Sequence, residues 1–292
     1  RAARTRDGRR TAERGRVLGI NVAATYFGLS LGPFIGGFLT QHLGWRSIFF
    51  LNAILGLLII VPAMWRLKSE WSEARGEKFD IPGSLLYMAS LTALMIGFSK
   101  LPGSVGAWGV GAGLGGLVGF VFWEKRTPKP LLDIRLFARN PVFTFSNVAA
   151  LINCSATSAV TFLVSFYLQY IKALSPQTAG LILVAQPIMM ALFSPFAGRL
   201  SDSVEPRVVA SIGMSVITVG LALLAMVGKD TSTVLVTMYL LLIGFGFALF
   251  SSPNTNAIMG SVEKKLYGVA SATFGTMRLT GQMMSMGIVM LI

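Results

Sequence analysis

A chain of 292 residues with 53% apolar and only 13% charged side chains and a mean hydropathy of +0.68 cannot cover a soluble globule, in which roughly a quarter of residues are charged. One cysteine and one histidine exclude a disulfide framework and a Cys/His zinc site, and the net charge of +13 raises nucleic acid as a partner only until the basic residues are placed. Apolar runs of more than about 18 residues recur, each long enough to cross about 30 Å of hydrocarbon, and they do not alternate as barrel strands would; the expected fold is all-α, a polytopic transmembrane helical bundle.

In chain order, residues 1–16 carry seven arginines and almost nothing apolar, and no signal-peptide pattern follows the charges. They read as a cytoplasmic basic loop from the interior of a longer gene product. About nine spans follow, at 17–39, 47–65, 81–98, 105–123, 142–170, 178–197, 208–227, 234–258 and 267–292. Asp80 ahead of Pro82, and Asn140 ahead of Pro141, mark the third and fifth starts as a cap followed by a first-turn proline. Trp45, Trp65, Trp108 and Trp123 fall near span ends, where aromatic belts form. The fourth span holds Gly106, Gly109, Gly111, Gly113, Gly115, Gly116 and Gly119, a composition for close helix packing or a flexible helix, with substrate lining as the alternative.

The connections alternate in charge. Twenty basic residues lie on one side, from the seven amino-terminal arginines through Arg66, Lys125, Arg139, Arg199 and Arg207 to Lys264 and Lys265; four, Arg46, Lys100, Lys172 and Lys229, lie on the other. By the positive-inside rule the amino end is cytoplasmic and the carboxyl end outside. The basic excess is thus topological, and no nucleic-acid partner is expected.

Within the first span, GLSLGPFIGG places Gly28, Gly32 and Gly36 four residues apart, on one helix face open to a neighbouring backbone. Pro33 removes a backbone hydrogen bond and crowds the carbonyl of Leu29, which bends the helix. Taken alone, the stretch fits a rigid packing motif as well as a moving contact. The longer segment GLSLGPFIGGFLTQHLGWRSIFFLN resembles the fifth-helix antiporter motif of major facilitator superfamily drug exporters. Gly28, Gly32, Pro33, Gly36 and Gly37 match that motif, and Gly44, Trp45 and Arg46 match the outer loop behind it. The resemblance implies a bent helix at the interface between the two halves of a transporter.

Other segments resemble the fourteen-helix, EmrB/QacA-like branch of drug:proton antiporters. FDIPGSLLYMASL is similar to the first of that branch's two extra helices, and PLLDIRLFARNPVF to the cytoplasmic link into the second half. AGRLSDSVEPR resembles a degenerate copy of the cytoplasmic-loop motif, with Gly198, Arg199, Asp202 and Arg207 in its charge network. SPNTNAIMGSV and YGVASATFGTMRLTG resemble the end of the second half. The resemblance implies this division: 1–16, basic loop; 17–66, the last two helices of the amino-terminal bundle; 67–80, cytoplasmic loop; 81–123, two linker helices; 124–140, cytoplasmic link; 141–292, an incomplete carboxy-terminal bundle of five helices. The nine spans become helices five to thirteen of fourteen.

No Asp or Glu falls within a predicted span, so no proton-carrying residue can be named. The polar groups that do fall inside are Arg278, about eleven residues into the last span, and the amides Asn147, Asn153, Gln169, Gln186, Asn254, Asn256 and Gln282. A charge that deep is expensive unless it meets a partner or water, and each amide needs the same. Arg278, Asn147, Asn153, Gln186, Asn254 and Gln282 are therefore candidate cavity residues, with helix-to-helix hydrogen bonding as the alternative. Gln186–Pro187 and Pro253–Asn254 are expected kinks. Methionines such as Met189, Met190, Met283, Met284 and Met286 offer an adaptable apolar surface, or simply core.

The spans hold no clustered nucleophiles, metal ligands or paired carboxylates, so no enzyme, no metal and no cofactor are expected. The implied function is secondary active transport in the cell inner membrane: efflux of amphipathic drugs or toxic compounds, driven by the proton gradient through alternating access. Its partners would be the bilayer, a small amphipathic substrate, protons and a periplasmic adaptor protein. The alternatives are a transporter of one metabolite, such as a siderophore, sugar or amino acid, and a truncated non-transporting remnant.

Overall fold

The computed structural model describes residues 28, 31–32, 34–66, 80–128, 130, 134–263 and 266–290. Its regular elements are all helical: α1 (34–43), α2 (Ser47–Arg66), α3 (Ile81–Ser99), α4 (Ser104–Arg126), α5 (Ile134–Arg139), α6 (Pro141–Thr157), α7 (Val160–Phe166) with a π-helical turn Tyr167–Ile171, α8 (Pro176–Leu183), α9 (Ala185–Ser203), α10 (Pro206–Ala225), α11 (Thr233–Gly260) and α12 (Tyr267–Val289). Among the described residues seven helical stretches are long and apolar enough to cross a membrane. Most of the first predicted span lies outside the described residues. The ninth is α12, which is 23 residues long yet not one of the seven, because Arg278, Gln282 and five serines and threonines dilute its apolar content. Loops 1–16 and, apart from Asp80, 67–80 lie outside the described residues.

The start signals act as their chemistry requires. Asp80 Oδ1 accepts from Gly83 N at 3.0 Å, and Asn140 Oδ1 accepts from Phe143 N at 3.0 Å. Each satisfies one of the orphan donors of a helix start. Asn140 also donates through Nδ2 to Ser261 O at 2.6 Å, tying the start of α6 to the end of α11. Between α1 and α2, Gly44 adopts φ +78°, a left-handed turn that favours glycine.

The chain forms two compact units, one of Arg1–Trp65 with Val164–Pro253, the other of Arg66–Leu163 with Asn254–Ile292. In the first, Ala197, Val209 and Leu249 form a core that Leu200 and Phe245 flank; α2 contributes no buried residue. In the second, Phe143, Ile258 and Ala270 form the core, and α3 and α4 pair as a hairpin along a glycine seam. A Cβ at Gly109 would lie 2.7 Å from Gly97 Cα, and one at Gly113 would lie 2.7 Å from Leu94 N. Gly111, Gly115 and Gly119, on another face of α4, would meet nothing within 4 Å. The seam reflects close packing, the first of the two readings of this span.

The fifth predicted span is one 31-residue stretch, Pro141–Ile171, but it is broken. α6 stops at Thr157 and α7 starts at Val160. The hydroxyls of Ser155, Thr157 and Ser158 each donate to the carbonyl four residues back, at 2.8, 2.8 and 2.7 Å, a competition with the backbone that bends helices. The sixth predicted span also divides, at Val184 between α8 and α9; Pro187 lacks the N–H that would bond the Leu183 carbonyl. At Pro253, α11 continues unbroken.

Candidate functional site

The glycine motif makes its close approach at one position. Pro33 lies outside the described residues. No described atom comes within 4 Å of a Cβ placed on Gly28, Gly32 or Gly36, whereas a Cβ on Gly37 would stand 2.5 Å from the carbonyl oxygen of Pro176 and 3.2 Å from Gln177 Cα. One turn further on, Gln41 Oε1 accepts from the backbone N–H of Gln177 at 3.3 Å. α1 thus docks against the first turn of α8, whose Ser175 cap accepts from Thr178 N at 3.2 Å. Gln41 supplies an acceptor to one of the orphan donors of that helix start. The reading of the motif stopped at Gly37; the spacing from Gly37 to Gln41, four residues on one helix face, was the available signal.

In the cytoplasmic-loop copy, Gly198 lies on α9 with Ser252 Oγ 3.0 Å from where its Cβ would be, and Arg199 is exposed. The side chain of Asp202 lies outside the described residues. Arg207 Nε meets Glu205 Oε1 at 2.7 Å, with both side chains largely in the open, so the pair contributes little stability. Glu205 was not among the expected partners.

Five of the six candidate cavity residues fall in the second unit, and Gln186, half-buried, lies in the first. Asn147, Asn153 and Asn254 are buried. Asn254 Nδ2 donates across to Ser146 O at 3.0 Å, a hydrogen bond between α11 and α6. Asn147 Nδ2 donates to Phe143 O at 2.8 Å within its own helix. Its Oδ1 is buried without a hydrogen-bond partner among the described residues, an orphaned acceptor that costs stability unless it has a task or a partner of another kind. Gln282 is half-buried on α12.

The face of α12 that meets α6 gathers three functions. Arg278 is exposed, its guanidinium 5.6 Å from the centre of the Phe274 ring and near enough to the buried Cys154 thiol for the two to interact electrostatically. A turn on, a Cβ at Gly281 would stand 2.9 Å from Cys154 Cβ and 3.1 Å from Ser155 N, so the two helices touch backbone to backbone. Another turn on, Ser285 Oγ accepts from the N–H of Ala159 at 3.0 Å, with both groups buried. Ala159 sits in the break between α6 and α7, where the regular helical partner of its N–H is lost. Ser285 therefore fills the role that a broken membrane helix requires of a neighbour. Sequence reading selected Arg278 but missed Ser285, because a lone serine at a helix position carries no local sign that it serves a residue 126 positions away.

A positive charge in mid-helix, a broken helix beside it and buried amides nearby form a polar region inside otherwise apolar elements. Such a region suits the binding or passage of a polar group rather than bond-making chemistry. Among the described residues no three His, Cys, Asp or Glu side chains gather as a metal site would need.

Comparison with known proteins adds an independent line. A family model described as Major Facilitator Superfamily matches residues 9–286. The chain is 30% identical over 269 residues to the riboflavin transporter RibZ of Clostridioides difficile (strain 630), an alignment that covers 91% of this chain and 58% of that protein. It is 29% identical over 279 residues to the multidrug resistance protein Stp of Mycobacterium tuberculosis (strain ATCC 25618 / H37Rv), covering 92% and 50%. To the tetracenomycin C resistance and export protein of Streptomyces glaucescens it is 28% identical over 248 residues, covering 82% and 45%. The chain spans about half the length of the curated relatives it matches.

Proposed function

Because this chain belongs to the Major Facilitator Superfamily, we propose that it acts in secondary active transport, exporting amphipathic drugs or toxic compounds in exchange for protons by alternating access. The observation that carries this reading is Arg278. Its guanidinium is exposed halfway along α12, with no carboxylate in salt-bridge distance among the described residues, and a charge at such depth is tolerated where it faces water or a ligand rather than lipid. Relatives named for multidrug resistance and for tetracenomycin C resistance and export support the drug-export reading.

In this reading the protein belongs to the fourteen-helix branch and lies in the cytoplasmic membrane with its amino end inside. No bound cofactor takes part, and the proton gradient is the drive. The cytoplasmic-loop residues Gly198, Arg199, Asp202 and Arg207 guide the rocking of two helical bundles, Gly28 to Gly37 forms the moving contact between them, and a periplasmic adaptor is a further partner. A second reading keeps the fold and changes the cargo to a single metabolite; the relative named as a riboflavin transporter favours it.

The test is proton release in proteoliposomes with an internal pH dye, under an imposed proton gradient. Responses to several unrelated lipophilic compounds would establish the exporter. A response to riboflavin alone would replace the cargo, and silence from folded protein would refute both readings.

A further inference from the structure

Two adjoining cavities in the second unit share one residue, Tyr87 of α3. The larger, about 530 Å³, is an open groove that runs along α3 from Ser84 to Ile96 and is bounded on one side by Met283 of α12. The smaller, about 280 Å³, lies beyond Tyr87 against Phe120 of α4, Phe137 of α5, and Thr276 and Thr280 of α12. The ring of Tyr87 packs on Phe120, centroids 5.0 Å apart, and its hydroxyl meets Thr280 Oγ1 at 2.6 Å. Tyr87 therefore forms the partition between the two spaces. We propose that these cavities form a binding site for an uncharged lipophilic compound that carries one hydroxyl or N–H donor, with Tyr87 as the residue that reads the donor.

Three observations carry the assignment. The larger volume lies within the range of small-molecule sites, about 300–1,000 Å³, and the smaller just below it. Among the described residues no Asp, Glu, Lys, Arg or His lines either cavity, so a cation would lose its hydration without gaining a counter-charge from them. Thr92 and Thr276 also line the cavities, and at the partition between them the polar groups fix the hydrogen-bond sense. Ser84 Oγ already donates to Asp80 O at 2.7 Å, and Thr280 Oγ1 donates to Thr276 O at 2.9 Å. With the threonine proton so committed, Tyr87 must be the donor of the 2.6 Å bond, and its phenolic oxygen keeps acceptor capacity. A ligand donor satisfies that oxygen; an ether does not. Met88 and Met95 of α3 with Met283 in the larger cavity, and Met277 in the smaller, give the walls adaptable side chains suited to more than one apolar shape.

The site deepens the transport reading by naming a substrate class, but binding is measured without transport, so the two can fail separately. The chain in nanodiscs is titrated with Nile red, an uncharged lipophilic dye, and the dye is displaced with 1-naphthol, its methyl ether and tetraphenylphosphonium. Saturable dye binding is expected, with naphthol displacing about five-fold better than the ether, the value of one net hydrogen bond. Tetraphenylphosphonium should displace least. Tyr87→Phe should bring the naphthol-to-ether ratio to about one while dye affinity holds. Met95→Trp and Met283→Trp, which fill the groove from opposite walls, should each abolish saturable binding.

Thermal unfolding of every variant is followed in parallel. If the tryptophan variants unfold, the Tyr87→Phe ratio decides alone. An unchanged ratio in Tyr87→Phe, wild-type dye binding in a folded tryptophan variant, or displacement by the cation equal to that by naphthol would overturn the assignment. So would a phospholipid, detected by mass spectrometry, that fills the groove in the wild type and is lost in Met95→Trp. Binding as expected in a protein that exports nothing would keep the site and refute the transport reading.

Discussion

Gly36 and Gly37 are neighbours with opposite surroundings, and replacing each by alanine should move stability in opposite directions. Both sit in helix α1, where alanine exceeds glycine by about 1 kcal/mol of helix propensity. At Gly36 no described atom lies within 4 Å of the added Cβ, so Gly36→Ala should keep that gain. At Gly37 the Cβ would stand 2.5 Å from Pro176 O, where ordinary contact begins at 3.4 Å. The atom it meets is backbone at the start of α8 and cannot swing aside. α1 must retreat by about 0.9 Å, which stretches the Gln41–Gln177 bond, already 3.3 Å, out of hydrogen-bonding range. Overpacking costs about 1–3 kcal/mol and the lost bond about 1 kcal/mol, so the two variants should differ by about 2–4 kcal/mol. In a chain of this size that is roughly 4–8 °C in Tm, readable by tryptophan fluorescence on heating in nanodiscs. A Gly37→Ala protein as stable as Gly36→Ala would refute the docking of α1 on α8.

Among the described residues nothing lies within 4 Å of a Cβ on Gly32 either, so Gly32→Leu should leave expression and Tm nearly unchanged. If its face meets a neighbour at another stage of the transport cycle, gradient-driven export by the reconstituted protein is lost; normal export would count against that role. Arg278→Ala should reduce export by about ten-fold or more, equivalent to about 1.4 kcal/mol, and alter its pH dependence, while Arg278→Lys, which keeps the charge, retains part of both. Transport and pH profile unchanged in Arg278→Ala would remove Arg278 from the pathway. Ser285→Ala leaves the buried N–H of Ala159 without its acceptor, at a cost of about 1–3 kcal/mol. Hydrogen exchange at that amide should accelerate well beyond exchange at α10, and unchanged protection would show that Ser285 is dispensable at the break.

What the sequence made legible was whatever is written locally. Apolar run length located the helices, and Asp80 and Asn140 announced their helix starts because a cap and its target N–H are three residues apart. The break in the fifth span was not legible. It contains no proline or glycine, only Thr157, Ser158 and Ala159, and the group that makes it tolerable lies on another helix. The glycine row was legible as a row, but composition could not say that Gly37, one residue off the Gly28–Gly32–Gly36 register, would face the backbone of α8. The pairing of Arg207 with Glu205 escaped because the family pattern directed attention to Asp202.

α12 is one of the two least apolar of the described long helices, and its polar residues explain why it can afford to be. Arg278, Gly281 and Ser285 succeed one another at spacings of three and four, so one stripe of the helix carries the charge, the closest contact and the acceptor for Ala159. Each is matched on α6 or at its end by Cys154, Ser155 or Ala159. Sliding α12 along α6 by one turn, about 5.4 Å, would part the 3.0 Å Ser285–Ala159 bond and bring a residue with a Cβ against Cys154 and Ser155. The contact therefore has one good register rather than a continuum. Any step that moves Arg278 relative to α6 must open the break at Ala159 as well, which couples the charge to the bend of the helix beside it.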